Sequence, residues 1–134
     1  MEPICTCHSF EFIPIDQQPR DFVDGLDPSA KARLLAACEN TAAGFADGRP
    51  HGSRTILVGS ARLSGLFVLQ VTWPGAPEPQ LRLLCMRKER RVLIARGYVE
   101  DEPGVPAGEV ELAEEALLRA MGGQGESRAE KAIR

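Results

Sequence analysis

The sequence predicts an α+β domain, a twisted and mainly antiparallel sheet with an N-terminal helical hairpin and a C-terminal helix. Three observations predict it. Four short runs rich in aliphatic and β-branched residues, within 55–98, are separated by Gly-, Pro- or charge-rich turns. Two segments with helical spacing of apolar residues precede them, and a third follows. Each helical segment carries a single apolar face, which predicts two layers with the helices on one side of the sheet.

The elements follow in order. Residues 10–15, Phe-Glu-Phe-Ile-Pro-Ile, begin with alternation, and Pro14 suits an edge strand or a strand end. A short helix is expected over Arg20–Leu26, where Phe22, Val23 and Leu26 share a face. Asp27-Pro28 marks the next helix start, since Asp accepts from free amide groups and Pro is tolerated in the first turn. That helix is expected to run from Pro28 to Ala43, with Leu34, Leu35, Cys38 and Ala42 inward and Gly44 as its C-cap. Strands are expected at Thr55–Val58, Leu66–Trp73, Leu81–Met86 and Val92–Tyr98, an antiparallel meander. Val110, Ala113, Leu117 and Ala120 then predict a helix over Glu109–Met121, whose early acids Glu109 and Glu111 suit its positive end. Residues 1–121 thus form one domain, and the Gly-rich polar stretch 122–134 reads as a flexible tail that folding does not need.

Composition sets the class. The chain has 134 residues, 43% hydrophobic and 26% charged, ordinary for one soluble domain. No apolar run approaches the ~18 residues of a membrane helix. Met1–Ser9 contains no basic segment leading into an apolar one, so no secretory signal is read and the cytoplasm is the expected compartment. The net charge of −3 hides a strong asymmetry. Residues 1–48 carry three basic and eight acidic side chains, residues 49–96 nine and two, and residues 97–134 four and nine. A basic centre of this kind attracts phosphates whatever the average. Cys5, Cys7 and His8 form a C-x-C-H cluster, but a second ligand pair is missing, so no metal or other cofactor is expected. Cys5 and Cys7 read instead as strand residues, and Cys38 and Cys85 as core.

Three stretches carry a resemblance to a known family. Arg20-Asp-Phe-Val-Asp-Gly-Leu-Asp-Pro-Ser-Ala-Lys-Ala-Arg33 resembles R-x-F-L-D-x-L-P-x-x-x-[KR]-x-[KR], and Ala61-Arg-Leu-Ser-Gly-Leu-Phe-Val-Leu-Gln-Val71 resembles K-x-L-x-G-L-[YF]-E-L-R-V. Leu81-Arg-Leu-Leu-Cys85, Val92-Leu-Ile-Ala-Arg-Gly-Tyr98, Pro106 and Glu109-Val-Glu-Leu-Ala113 are similar to the segments that follow, with like spacing. The pattern is that of the RelE/ParE superfamily of bacterial toxins, in its HigB-like branch. The resemblance implies a small RelE-like fold and the toxin of a type II toxin–antitoxin pair, a metal-independent mRNA interferase acting on ribosome-bound message. It implies three partners: mRNA, the ribosome, and a cognate antitoxin, expected to be a small helix-turn-helix protein. DNA would be reached only through the antitoxin, and no membrane is involved.

In such an endoribonuclease the ribose 2′-OH attacks its own 3′ phosphate. The reaction needs proton transfer at two oxygens and cations for the charge growing on phosphorus. By the resemblance Arg82 is the first phosphate ligand. Arg96 and Tyr98, two apart on one strand, point the same way. Tyr98 then either stacks a base or moves a proton. Arg54 and Arg62 are RNA-binding candidates beside the central strands. Arg87, Lys88, Arg90 and Arg91 at a hairpin tip read as a solvated turn or as a docking patch for ribosomal RNA. His51 is a candidate acid or base, and Trp73 reads as packing rather than a base platform. If Arg82 and Arg96 act at the phosphate, replacing either costs far more activity than replacing Arg128 in the tail. The chain departs from the family pattern at Gln70, where the family has Arg, and at Glu100-Asp101, where it has two Lys. These departures frame an alternative, a non-catalytic module on the same fold that binds an acidic partner protein.

Overall fold

The structure is a computed structural model that describes residues 2–49, 55–71, 80–100 and 104–122. Its elements are β1 (Cys5–Cys7), β2 (Phe10–Pro14), α1 (Gln17–Asp24), α2 (Pro28–Ala46), β3 (Thr55–Leu57), β4 (Leu66–Val71), β5 (Gln80–Lys88), β6 (Arg91–Glu100) and α3 (Ala107–Met121). The architecture is α+β, with six strands among the described residues in the order β1-β2-β6-β5-β4-β3. All neighbours are antiparallel except β2 and β6. The expected tail from residue 123 lies outside the described residues.

Local chemistry explains where the first two helices start. Asp27 accepts from the Ala30 amide at 2.8 Å and Pro28 sits in the first turn, so α2 starts where its sequence dictates. Asp16 caps α1 in a similar way through the Gln17 amide, which starts that helix before Arg20. Helix α2 passes through Gly44 to Ala46, because Phe45 extends its apolar face to Phe10 and Phe67. The 10–14 strand is not at an edge. β1 covers its outer side, pairing Cys5 with Phe12 and Cys7 with Phe10.

The expectation of helices on one side of the sheet is wrong: they cover both faces. One core joins Leu34, Cys38 and Phe45 of α2 and Val23 of α1 to Phe10, Phe12, Phe67, Leu83, Val92 and Ile94. The other joins Ala113, Ala116 and Leu117 of α3 to Leu66, Val68, Leu84, Met86, Ala95 and Tyr98. Consecutive residues of β4 alternate between the two cores, as successive side chains of a strand must. Burying a sheet on both faces requires strands that are apolar throughout rather than alternately, and Leu66-Phe-Val-Leu69 is such a strand.

Candidate functional site

The α3 face of the sheet gathers the polar residues singled out in the sequence. Strand pairing sets Arg82 of β5 directly opposite Tyr98 of β6, and Gln70 of β4 opposite Arg82 on its other side. Arg96 pairs with Leu84, whose side chain lies in the α3 core, so Arg96 shares that face. A bulge makes this possible. Leu84 pairs with Arg96 but Cys85 pairs with Ile94, which leaves Ala95 as an extra residue on β6. Val92 and Ile94 point into the α1/α2 core. Without the extra residue, alternation would send Arg96 and Tyr98 the same way.

The face is roofed by α3, and its cations are already engaged. Arg82 is only 5% exposed. It donates from Nε to Gln70 Oε1 at 3.1 Å and from Nη1 to the Gly104 carbonyl. Arg96 donates from Nε to Glu109 Oε1 of α3 at 2.8 Å, an ion pair whose side chains are 19% and 23% exposed. Exposed Arg62 reaches Glu114 Oε1 at 3.9 Å, and the Ser60 hydroxyl donates to the other oxygen of that carboxylate. Glu114 is itself buried, so its charge is held by these two groups. Tyr98 is buried against α3. In the sequence Glu109 carries only the signal of a helix-terminal acid, and Glu114 and Ser60 carry none. Glu114 lies five residues after Glu109, a spacing that a chemical motif does not require.

The β5–β6 turn forms a second basic locus. Arg82 and Arg87 are roughly 17 Å apart along an extended strand, so the two loci are distinct. Arg87, Lys88, Arg90 and Arg91 are exposed. Arg87 lies 4.8 Å from the Phe10 ring centre and 4.7 Å from that of Phe45, and Arg90 lies 4.7 Å from Phe10. Cation–π attraction and bonds to the Glu89 and His8 carbonyls anchor these two arginines. Lys88 and Arg91 project at the same tip.

Arg54, His51, Trp73, Asp101 and Glu102 lie outside the described residues. Among the described residues, no group of three or more His, Cys, Asp or Glu side chains is placed to hold a metal ion. No helix among them is long and apolar enough to cross a membrane. No protein-family model matches the chain, and no curated protein matches it.

Proposed function

We propose that this chain is the toxin of a type II toxin–antitoxin pair and cuts ribosome-bound mRNA without a metal. One observation carries the reading: Arg82, Arg96 and Tyr98, distant from one another in neither strand nor register, share one sheet face with Gln70. Arg82 is buried and α3 roofs the face, so a phosphodiester reaches the two guanidiniums only where α3 yields; they then bind its oxygens in pairs and stabilise the charge that builds as the 2′-OH attacks. Tyr98 either stacks the adjoining base or transfers a proton at the leaving 5′-oxygen. The message must compete with Glu109 for Arg96. That pair is mostly buried, so the phosphate displaces it only by contacting Arg96 with two oxygens at once. The tip cations Lys88 and Arg91 fit a docking role on ribosomal RNA. The reading carries a cytoplasmic location and a cognate antitoxin with it.

The burial of Arg82 and the acids of α3 over the face favour a second reading, a non-catalytic module that binds an acidic protein through the hairpin tip. Expression in a bacterial host decides between them. The toxin reading predicts growth arrest together with new 5′-hydroxyl ends within translated messages, since attack by the 2′-OH expels a 5′-oxygen. Unimpeded growth with intact messages would favour the module.

A further inference from the structure

The cysteines that the sequence left as strand and core residues converge in space. Cys5 and Cys7 lie on one face of β1, and Cys7 Sγ donates to Cys5 Sγ at 3.8 Å. Cys38, wholly buried on α2, belongs to the core that Cys5 and Cys7 pack against. Cys5 therefore receives a thiol donor from Cys7 while remaining partly exposed to solvent. Donation of this kind favours the anion. The Cys38 thiol holds the Cys5 thiol below its ordinary value, burial opposing and the Cys7 bond assisting. Burial, with the neighbouring Cys5 charge, pushes Cys7 up to about 11. The cluster thus contains one favoured nucleophile and two neutral thiols next to it, the asymmetry that reactive cysteine sites require.

We propose that these residues form a reversible oxidation site, with Cys5 as the attacking sulfur and Cys7 as its disulfide partner. Hydrogen peroxide is the oxidant class. The Cys5 thiolate attacks one peroxide oxygen, an S–O bond forms, the O–O bond breaks, and the departing hydroxide takes a proton to become water. Cys7 loses its proton to solvent and attacks the Cys5 sulfur. The S–S bond forms as the S–O bond breaks, and the second oxygen leaves as water. Two thiols and one peroxide give one disulfide and two waters. A dithiol reductant reverses the change by exchange.

The position suits a labile bond. Residues two apart on an extended strand have Cα atoms about 6.6–6.8 Å apart, the upper end of the range disulfides span, ~4.4–6.8 Å. Reaching the commonest separation, ~5.5–6 Å, would shorten β1. That strand has three residues, lies at the sheet edge and, among the described residues, pairs only with β2. Its turn to β2 already holds His8 and Ser9 at φ 50° and 69°, a conformation that favours glycine. A bond formed against such resistance is readily reduced, as regulatory disulfides are.

The test uses the full chain, reduced, freed of reductant and treated with hydrogen peroxide. The expected product has lost about 2 Da, the two hydrogens of a disulfide. Peptide mapping places the bond between Cys5 and Cys7, and dithiothreitol reverses it. Cys5→Ser removes this product, Cys7→Ser accumulates a Cys5 sulfenic acid that a cyclic 1,3-diketone traps, and Cys85→Ala retains the bond. A brief iodoacetamide pulse on the unmodified chain should label Cys5 first, a result that does not depend on any variant folding. Oxygen addition without a disulfide, a bond that omits Cys5 or joins it to Cys38, or faster labelling of Cys7 would each overturn the proposal. None of these readouts involves RNA, so the outcome is separate from that of the toxin reading.

Discussion

Arg96 of β6 donates its Nε–H to the Glu109 carboxylate of α3 at 2.8 Å, so this cation meets any incoming phosphate already paired. The bond ties the proposed site to the helix that covers it. Glu109→Gln keeps the shape and removes the competing charge. Message cleavage should rise at least about 2–5-fold, since the ~0.5–1 kcal/mol of an exposed pair is a floor for this mostly buried one. Stability should fall slightly, because Glu109 is also the acid in the first turn of α3 and such an acid is worth ~0.3–1 kcal/mol there. Higher activity in a slightly less stable protein is the signature, read by cleavage rate and thermal melting. An unchanged or lower rate would mean that Glu109 does not compete with message.

Gly97 fixes the approach of α1 to β6. A Cβ at this position would lie 2.3 Å from Cδ2 of Phe22. Gln18 locks the same place by accepting from the Gly97 amide at 3.0 Å and donating to its carbonyl at 2.7 Å. Gly97→Ala should therefore cost about 1–3 kcal/mol through overpacking. Adding Phe22→Ala should make the Gly97→Ala step far cheaper, a coupling of ~0.5–3 kcal/mol between touching residues. Urea unfolding of the two single variants and the double variant measures it, and additive losses would refute the contact.

Alkaline pH should destabilise the reduced protein. Burial raises Cys85 and helps raise Cys7, whereas in Cys38 the bond to Cys5 leads and burial adds to it. Once unfolded, each thiol ionises near the ordinary value of 9.0. Their stabilising contribution is thus complete below that pH. Above it the unfolded chain releases protons that the folded chain keeps, so stability falls as pH rises, through about 11 for Cys7. Cys5, lowered, acts in the opposite sense, one group against three. Urea midpoints across pH 8 to 11, with reductant present, should decline steadily above about 9. Cys7→Ser should flatten the decline, and a parent curve without any decline would contradict the buried placement of the thiols.

The elements were legible because they rest on local chemistry: Asp27-Pro28 opens α2, and the aliphatic runs of 81–86 and 92–98 form β5 and β6. Layering was also legible, though misread, since Leu83-Leu-Cys-Met86 is apolar without alternation and such strands need cover on both faces. The side to which Arg96 points was not legible. It depends on the bulge at Ala95, and an alanine between Ile94 and Arg96 gives no local reason to expect one. Neither was the meeting of Cys5 with Cys38, which depends on where α2 crosses β1. The acids over the site were visible as residues, but their engagement with Arg96 and Arg62 arises only when α3 folds onto the sheet.

The most direct test of the toxin reading is the rate at which ribosome-bound message is cut by the wild-type chain and by Arg96→Ala, at matched folding. Arg96 is the better choice than Arg82, because Arg82 also holds the Gly104 carbonyl and Gln70, and its loss would disturb the fold. Removing a cation that stabilises the reacting phosphate should slow cleavage about 10²–10³-fold. Arg128→Ala, in the polar C-terminal stretch, should cut at the wild-type rate. Equal rates for the wild type and Arg96→Ala, or a wild-type chain that cuts no message, would contradict the account.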